Sequence, residues 1–188
     1  MPADTLEIEM KFPLAESTTL LERLRQRGAS GTEVLHEADH YFNAPDRDFA
    51  RTDEALRIRR IGSANRVTYK GPKLDAQTKT RTEIEVGLAE GDKAADDFAR
   101  LLTSLGYRPV AVVRKQRRTF HLQEGAFQVE VCLDQVEGVG QYAELEIIAP
   151  KQQLDEARDV LQRLAAELGL SGSERRSYLE LLLGKTKS

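Results

Sequence analysis

From Leu6 to Phe12 the chain alternates strictly: Leu6, Ile8, Met10 and Phe12 share one parity, and Glu7, Glu9 and Lys11 share the other. That period of two predicts a strand. Ser17 to Arg27 instead carries its apolar residues (Leu20, Leu21, Leu24) at helical spacing, with Ser17 placed as N-cap and Gly28 as the stop. Strand patterns return at Val34–Phe42, Ala55–Ile61, Arg66–Gly71 and Arg81–Val86, separated by segments rich in Asp, Gly, Pro and Asn. A second helix is predicted over Asp92–Leu105, closed by Gly106. Three strands follow at Pro109–Leu122, Ala126–Leu133 and Gln141–Ile148, and two helices at Gln152–Leu168 and Glu174–Leu183. Eight strands and four helices, with helices between groups of strands rather than after each one, give an α+β class built on a mostly antiparallel sheet.

The polar parity of these strands is unusually uniform. Arg57 and Arg59 oppose Leu56 and Ile58; Arg81, Glu83 and Glu85 alternate with Thr82, Ile84 and Val86; Lys115 and Arg117 stand two apart. Gln128, Glu130, Cys132 and Asp134 oppose Phe127, Val129, Val131 and Leu133, and Tyr142, Glu144 and Glu146 oppose Ala143, Leu145 and Ile147. One such face is what any solvated strand shows. Six of them suggest a sheet curled into a barrel, with charged side chains turned inward and apolar ones packed outward against helices. Arg60, Arg66, Arg114 and Arg118 lie on the opposite parity or at strand ends and are read as surface residues, and Tyr41 and Phe42 as core. Asp39 and His40 are adjacent on a strand, so their side chains point to opposite faces and form no proton-transfer pair.

Composition narrows the chemistry. The 188 residues include 28 Lys and Arg against 31 Asp and Glu, for a net charge of −3. A nucleic-acid coat or a basic membrane-surface domain needs an excess of positive charge, so neither partner is expected. No run approaches the roughly 18 apolar residues of a membrane-spanning helix, and the opening MPADTLEIEMKF lacks the basic-then-apolar order of a signal peptide. A cytoplasmic protein is expected. The single cysteine, Cys132, excludes an internal disulfide, and His36, His40 and His121 show no metal-ligand spacing. The length fits one domain over residues 1–188. Lys and Arg converging from several strands suit phosphate oxygens, whereas carboxylates without His or Cys suit a hard cation such as Mg²⁺ or Mn²⁺. A polyphosphate with a divalent metal is the ligand this lining predicts.

The same residues carry a resemblance. Glu7-Ile8-Glu9-Met10-Lys11 resembles the ExExK signature of the CYTH superfamily, the triphosphate tunnel metalloenzymes. It is followed in family order by Asp39-His40-Tyr41-Phe42, Leu56-Arg57-Ile58-Arg59, Tyr69-Lys70-Gly71-Pro72, Arg81-Thr82-Glu83, Lys115-Gln116-Arg117, Leu133-Asp134 and Gly140-Gln141-Tyr142-Ala143-Glu144-Leu145-Glu146. Leu105-Gly106-Tyr107-Arg108-Pro109 and Arg176-Ser177-Tyr178-Leu179-Glu180 are most similar to the class IV adenylyl cyclase branch. The resemblance implies a closed, eight-stranded antiparallel barrel with flanking helices, enclosing a tunnel for a triphosphate and one or two Mg²⁺ or Mn²⁺ ions. Carried over by motif, Glu7, Glu9, Glu144 and Glu146 are the metal-side carboxylates. Lys11, Arg57, Arg59, Lys70, Arg81, Lys115 and Arg117 are the phosphate ligands, and Lys11, Asp134 and Arg117 are the catalytic residues. Glu83 and Glu85 are read as orienting the basic residues beside them. Arg176, Ser177 and Tyr178 either close a tunnel mouth or dock the last helix. Three activities share this set: cyclisation of ATP to 3′,5′-cyclic AMP and pyrophosphate, hydrolysis of inorganic, thiamine or nucleoside triphosphate, and simple polyphosphate binding. The cyclase branch also suggests a homodimer.

Overall fold

A computed structural model describes residues 5–74 and 78–185. Its strands are β1 (Thr5–Leu14), β2 (Ser30–Gly31), β3 (Leu35–Asn43), β4 (Ala55–Ile61), β5 (Ala64–Lys70), β6 (Glu83–Leu88), β7 (Arg108–Glu124), β8 (Phe127–Val136) and β9 (Gly140–Pro150). Its helices are α1 (Thr18–Gln26), α2 (Phe49–Thr52), α3 (Asp92–Ser104), α4 (Leu154–Glu167) and α5 (Tyr178–Lys185), with a 3₁₀ turn at Lys151–Gln153 before α4. The α+β class and the long elements follow the periodicity. The two-residue β2 and the four-residue α2 do not, because neither is long enough to show a period.

One antiparallel sheet runs in the order β1-β9-β8-β7-β3-β4-β5-β6, with β2 added beside β7. The expectation of a closed eight-stranded barrel is corrected here: the sheet is a curled path with two ends. β1 and β6 share no continuous ladder. They are linked just before β6 by an isolated bridge between Glu7 and Arg81 and by the Lys79 N–H donating to the Glu9 carbonyl at 3.0 Å. Among the described residues of the segment leading into β6, the Gly71 N–H bonds to Thr82 O and the Leu74 N–H to Thr80 O within its own hairpin, and the seam contacts are those of Lys79 and Arg81.

Apolar parity packs outward and charged parity inward. Ile8, Val129, Val131, Leu145 and Ile147 form the main core with Leu20 and Leu24 of α1 and Leu161 and Leu164 of α4. Ile58 and Leu56 meet Ala95 and Leu102 of α3 in a second core. Tyr178 and Leu181 of α5 cap a third with Tyr142 and Val113. The helices end as predicted at glycines held in the left-handed region, Gly106 (φ 89°) and Gly169 (φ 72°), which only a residue without Cβ occupies without strain. No helix among the described residues is long and apolar enough to cross a membrane.

Candidate active site

The inward parity of the curled sheet encloses a cavity of about 330 Å³. Glu7, Glu9, Glu144 and Glu146 line it from β1 and β9, with Glu130 of β8 beside them. Arg57 and Arg59 of β4, Lys70 of β5, Lys115 and Arg117 of β7, and Arg81 at the seam line the remainder. Ten of the predicted site residues therefore meet in one space. They converge because they sit at the inward parity of β1, β4, β5, β7 and β9, with Arg81 at the seam, and curling turns those parities toward a common axis.

Lys11 and Asp134 are placed differently. Both are almost fully buried, at 1% and 2% exposure, and neither is among the residues lining the cavity. The Lys11 ammonium donates to the Arg176 carbonyl and lies 4.2 Å from the centre of the Tyr178 ring. Burial, and then the neighbouring Lys79 charge, lower its pKa to about 7. Asp134 lies beneath Arg117, accepting from Nε at 2.7 Å and from Nη2 at 2.5 Å, and it also accepts the Tyr178 hydroxyl at 2.8 Å.

A layer of carboxylates that the sequence reading did not assign supports the basic wall. Asp39, 1% exposed, takes two bonds from Arg59, at 2.7 and 2.8 Å, and one from Arg57 at 3.2 Å. Burial alone would raise the Asp39 carboxyl, but the Arg57 and Arg59 charges hold it far below the usual carboxylate range. Glu37 stands 3.2 Å from both Arg59 and Lys115. Inward parity was the available signal, since Glu37 and Asp39 are two apart on β3 and face the arginines of β4 across an Asp39–Arg59 register pair. Buried guanidiniums need such partners, and the planar fork of arginine fixes their direction. Arg57 Nε nevertheless remains buried without a hydrogen-bond partner among the described residues. An anionic oxygen entering the cavity would satisfy it.

On the acidic wall, Lys70 pairs with Glu83 at 2.9 Å and with Glu7 at 3.4 Å, in line with the orienting role read for Glu83. Glu85 turns to Arg66 at 3.0 Å. Arg66, read as a surface residue, is half exposed yet lines the cavity mouth, whereas Arg60 turns outward to Asp96. The Glu146 carboxyl is pushed well above its usual range by burial and by the Glu7 charge. Glu144 pairs with Arg117, whose charge holds its carboxyl low against the opposing effect of burial. Lys79, which the sequence reading also left unassigned, reaches Glu9 at 2.6 Å and Glu144 at 3.9 Å. Its signal was again parity, two residues before Arg81. The all-oxygen acidic wall fits Mg²⁺ or Mn²⁺ in kind, and Glu9 and Glu144 already share a positive charge in the Lys79 ammonium. Among the described residues, no three acidic, histidine or cysteine side chains are gathered closely enough to hold a metal ion.

The start of the last helix reaches the cavity. Ser177 and Tyr178 line the cavity, and the Tyr178 ring packs edge-on against Tyr142 at 5.4 Å between centroids. Docking of α5 thus brings Tyr178 to the cavity lining. Tyr41 is core and lining at once, while Phe42 is core alone.

Comparison with known proteins bears on the family and the fold. The chain is 36% identical over 179 residues to a Methanocaldococcus jannaschii protein named "Putative adenylate cyclase", covering 94% of this chain and 98% of that protein. It is 34% identical over 184 residues to adenylate cyclase CyaB of Aeromonas hydrophila, covering 93% of this chain and 87% of that protein. A solved structure from Pyrococcus horikoshii superimposes with a TM-score of 0.83 at 39% identity, covering 95% of this chain and 99% of that one. The fold alone is shared, at 16% identity and a TM-score of 0.66, with a Hippeastrum protein described as a "Putative adenylyl cyclase" with a dominant triphosphatase activity; the match covers 96% of each chain. The family model of the CYTH domain matches residues 5–178, the stretch that supplies every strand of the curled sheet, and the chain belongs to that family.

Proposed function

We propose that this chain is a class IV-type adenylyl cyclase converting ATP to 3′,5′-cyclic AMP and pyrophosphate in the cavity just described. The observation that carries the reading is the division of one cavity into a basic wall braced by buried carboxylates and an acidic wall facing it. The 34–36% identity to relatives named as adenylate cyclases supports it. In the reaction the ribose 3′ oxygen bonds to the α-phosphorus while the bond from that phosphorus to the bridging β-oxygen breaks. Pyrophosphate leaves with the electron pair, and the hydroxyl proton passes to solvent.

In this reading Arg57, Arg59, Lys70, Arg81, Lys115 and Arg117 hold the triphosphate and receive the charge that builds on departing pyrophosphate, so positioning and electrostatics supply the catalysis. Asp39, Glu37 and Asp134 keep those cations aimed. Lys11, behind the lining, fixes the Arg176 backbone just before α5. A divalent cation, held by Glu7, Glu9 and Glu144 with Glu146 beside them, would supply positive charge at the attacking oxygen and the reacting phosphate.

A second reading is hydrolysis of a triphosphate in the same space, favoured by the shared fold of the Hippeastrum protein. The two differ in which phosphorus is attacked. Incubation with Mg²⁺ or Mn²⁺ and ATP, inorganic triphosphate or thiamine triphosphate separates them: cyclic AMP with pyrophosphate is the expected product, and orthophosphate without cyclic AMP would establish the hydrolase. Neither product, with retained binding, would leave a polyphosphate-binding module. Glu7→Gln and Glu9→Gln should each abolish metal-dependent turnover, and full activity in both would refute the acidic-wall assignment.

A further inference from the structure

Lys79 is a cavity cation both of whose carboxylate partners, Glu9 and Glu144, are assigned above to the metal, Glu144 being shared with Arg117. Its backbone N–H donates to the Glu9 carbonyl at 3.0 Å, which ties its Cα to β1. Its ammonium lies 2.6 Å from one Glu9 oxygen and 3.9 Å from a Glu144 oxygen, and its side chain is 7% exposed. A cation already stands between two carboxylates read as cation ligands.

The charge of the whole lining matters as much as this contact. Eight basic and seven acidic residues line the cavity, so cationic and acidic side chains are nearly matched in number. A divalent cation entering alone would add positive charge to a space where opposite charges are already paired. A triphosphate entering alone would add negative charge. Arriving together, their opposite charges partly cancel, and the ammonium between Glu9 and Glu144 can then give way to the divalent cation. Lysine suits such a move: its charge is a point at the end of a flexible four-carbon stem, so with Cα fixed it can redirect its hydrogen bonds by rotation alone.

We propose that Lys79 is an exchangeable counter-cation, neutralising Glu9 and Glu144 until a divalent cation and a triphosphate arrive together, and then passing its ammonium to a phosphate oxygen. It is a positioning residue that couples the two binding events through one side chain. The coupling is reciprocal, so triphosphate raises cation affinity by the factor by which the cation raises triphosphate affinity. The inference rests on the reading of Glu9 and Glu144 as cation ligands.

The test measures Mn²⁺ binding to the full chain by electron paramagnetic resonance, with and without the non-hydrolysable diimido analogue of tripolyphosphate. For the unaltered chain, the analogue should raise Mn²⁺ affinity about tenfold, within the usual range of coupled sites. Lys79→Met should bind Mn²⁺ alone about tenfold more tightly than the unaltered chain, and its response to the analogue should shrink below about threefold. Lys79→Gln, verified as folded by circular dichroism, repeats the measurement with a neutral polar side chain should the methionine variant fail to fold. Unchanged or weaker Mn²⁺ binding in a folded Lys79 variant overturns the exchange. Glu9→Gln separates the two levels. If it weakens Mn²⁺ binding while the Lys79 variants do not strengthen it, the exchange alone falls; if Glu9→Gln leaves Mn²⁺ binding intact, the metal assignment falls with it.

Discussion

Asp39→Asn is the most informative perturbation of the supporting layer. The substitution keeps shape and removes one negative charge at a site of 1% exposure, where Arg59 makes two bonds and Arg57 one. Asparagine can still accept through its carbonyl oxygen, but its amide would face two guanidiniums as a donor. Arg59 would be left with Glu37 at 3.2 Å, and Arg57 with Glu83 at 4.0 Å. Removing one partner of a buried ion pair costs about 3–5 kcal/mol, because the remaining charge stays desolvated. A domain of this size shifts its midpoint by roughly 2–4 °C per kcal/mol, so a fall of about 6–20 °C in Tm is expected. Urea unfolding measures the free energy directly. The control is Asp97→Asn on the surface, where Lys93 and Arg100 are paired in solvent and the loss should stay within about 0.5 kcal/mol. The pH dependence gives the sign. The folded pKa of Asp39 is depressed, so its stabilisation is present above the unfolded value and is lost as pH falls through the folded one. Asp39→Asn should therefore flatten part of the acid limb of the stability curve. A loss below about 1 kcal/mol with an unchanged acid limb would refute the view that Asp39 braces the basic wall.

Three further outcomes follow from the same geometry. Tyr178→Phe removes the hydroxyl that donates to Asp134 at 2.8 Å, and should cost about 1.5–3 kcal/mol by urea unfolding, since the acceptor is a buried carboxylate. Arg117→Met leaves Asp134 and Glu144 without their shared guanidinium; it should weaken binding of inorganic triphosphate in calorimetry and lower Tm, and undiminished binding would remove Arg117 from the phosphate set. Lys11, with its folded pKa lowered to about 7, opposes folding while protonated, so its penalty is relieved as pH rises from about 7 toward its unfolded value. Lys11→Met should suppress that rise in a stability–pH series.

Period two along β1, β4, β7, β8 and β9 states which residues share a face, and from it Glu7 with Glu9, Arg57 with Arg59, and Lys115 with Arg117 were legible before any coordinates. Glu37, Asp39 and Lys79 carried the same parity signal but stood outside the strongest repeats, where a lone carboxylate or lysine looks like any solvated residue. Depth has no sequence period at all. Lys11 and Glu9 are two apart on one strand, yet Glu9 lines the cavity while Lys11 is sealed behind Tyr178, because the end of the tunnel is set by where α5 docks. Asp134 and Glu144 come from neighbouring strands, and only cross-strand register brings Arg117 of β7 within reach of both. The sequence by itself determined the strands, the parity of their charges and the family to which they belong, since these depend on neighbours one and two positions away. The tertiary structure decided how far the sheet closes, that its ends meet among the described residues at Lys79 and Arg81, and which carboxylate holds which cation, since these depend on curvature and on contacts between residues far apart in the chain.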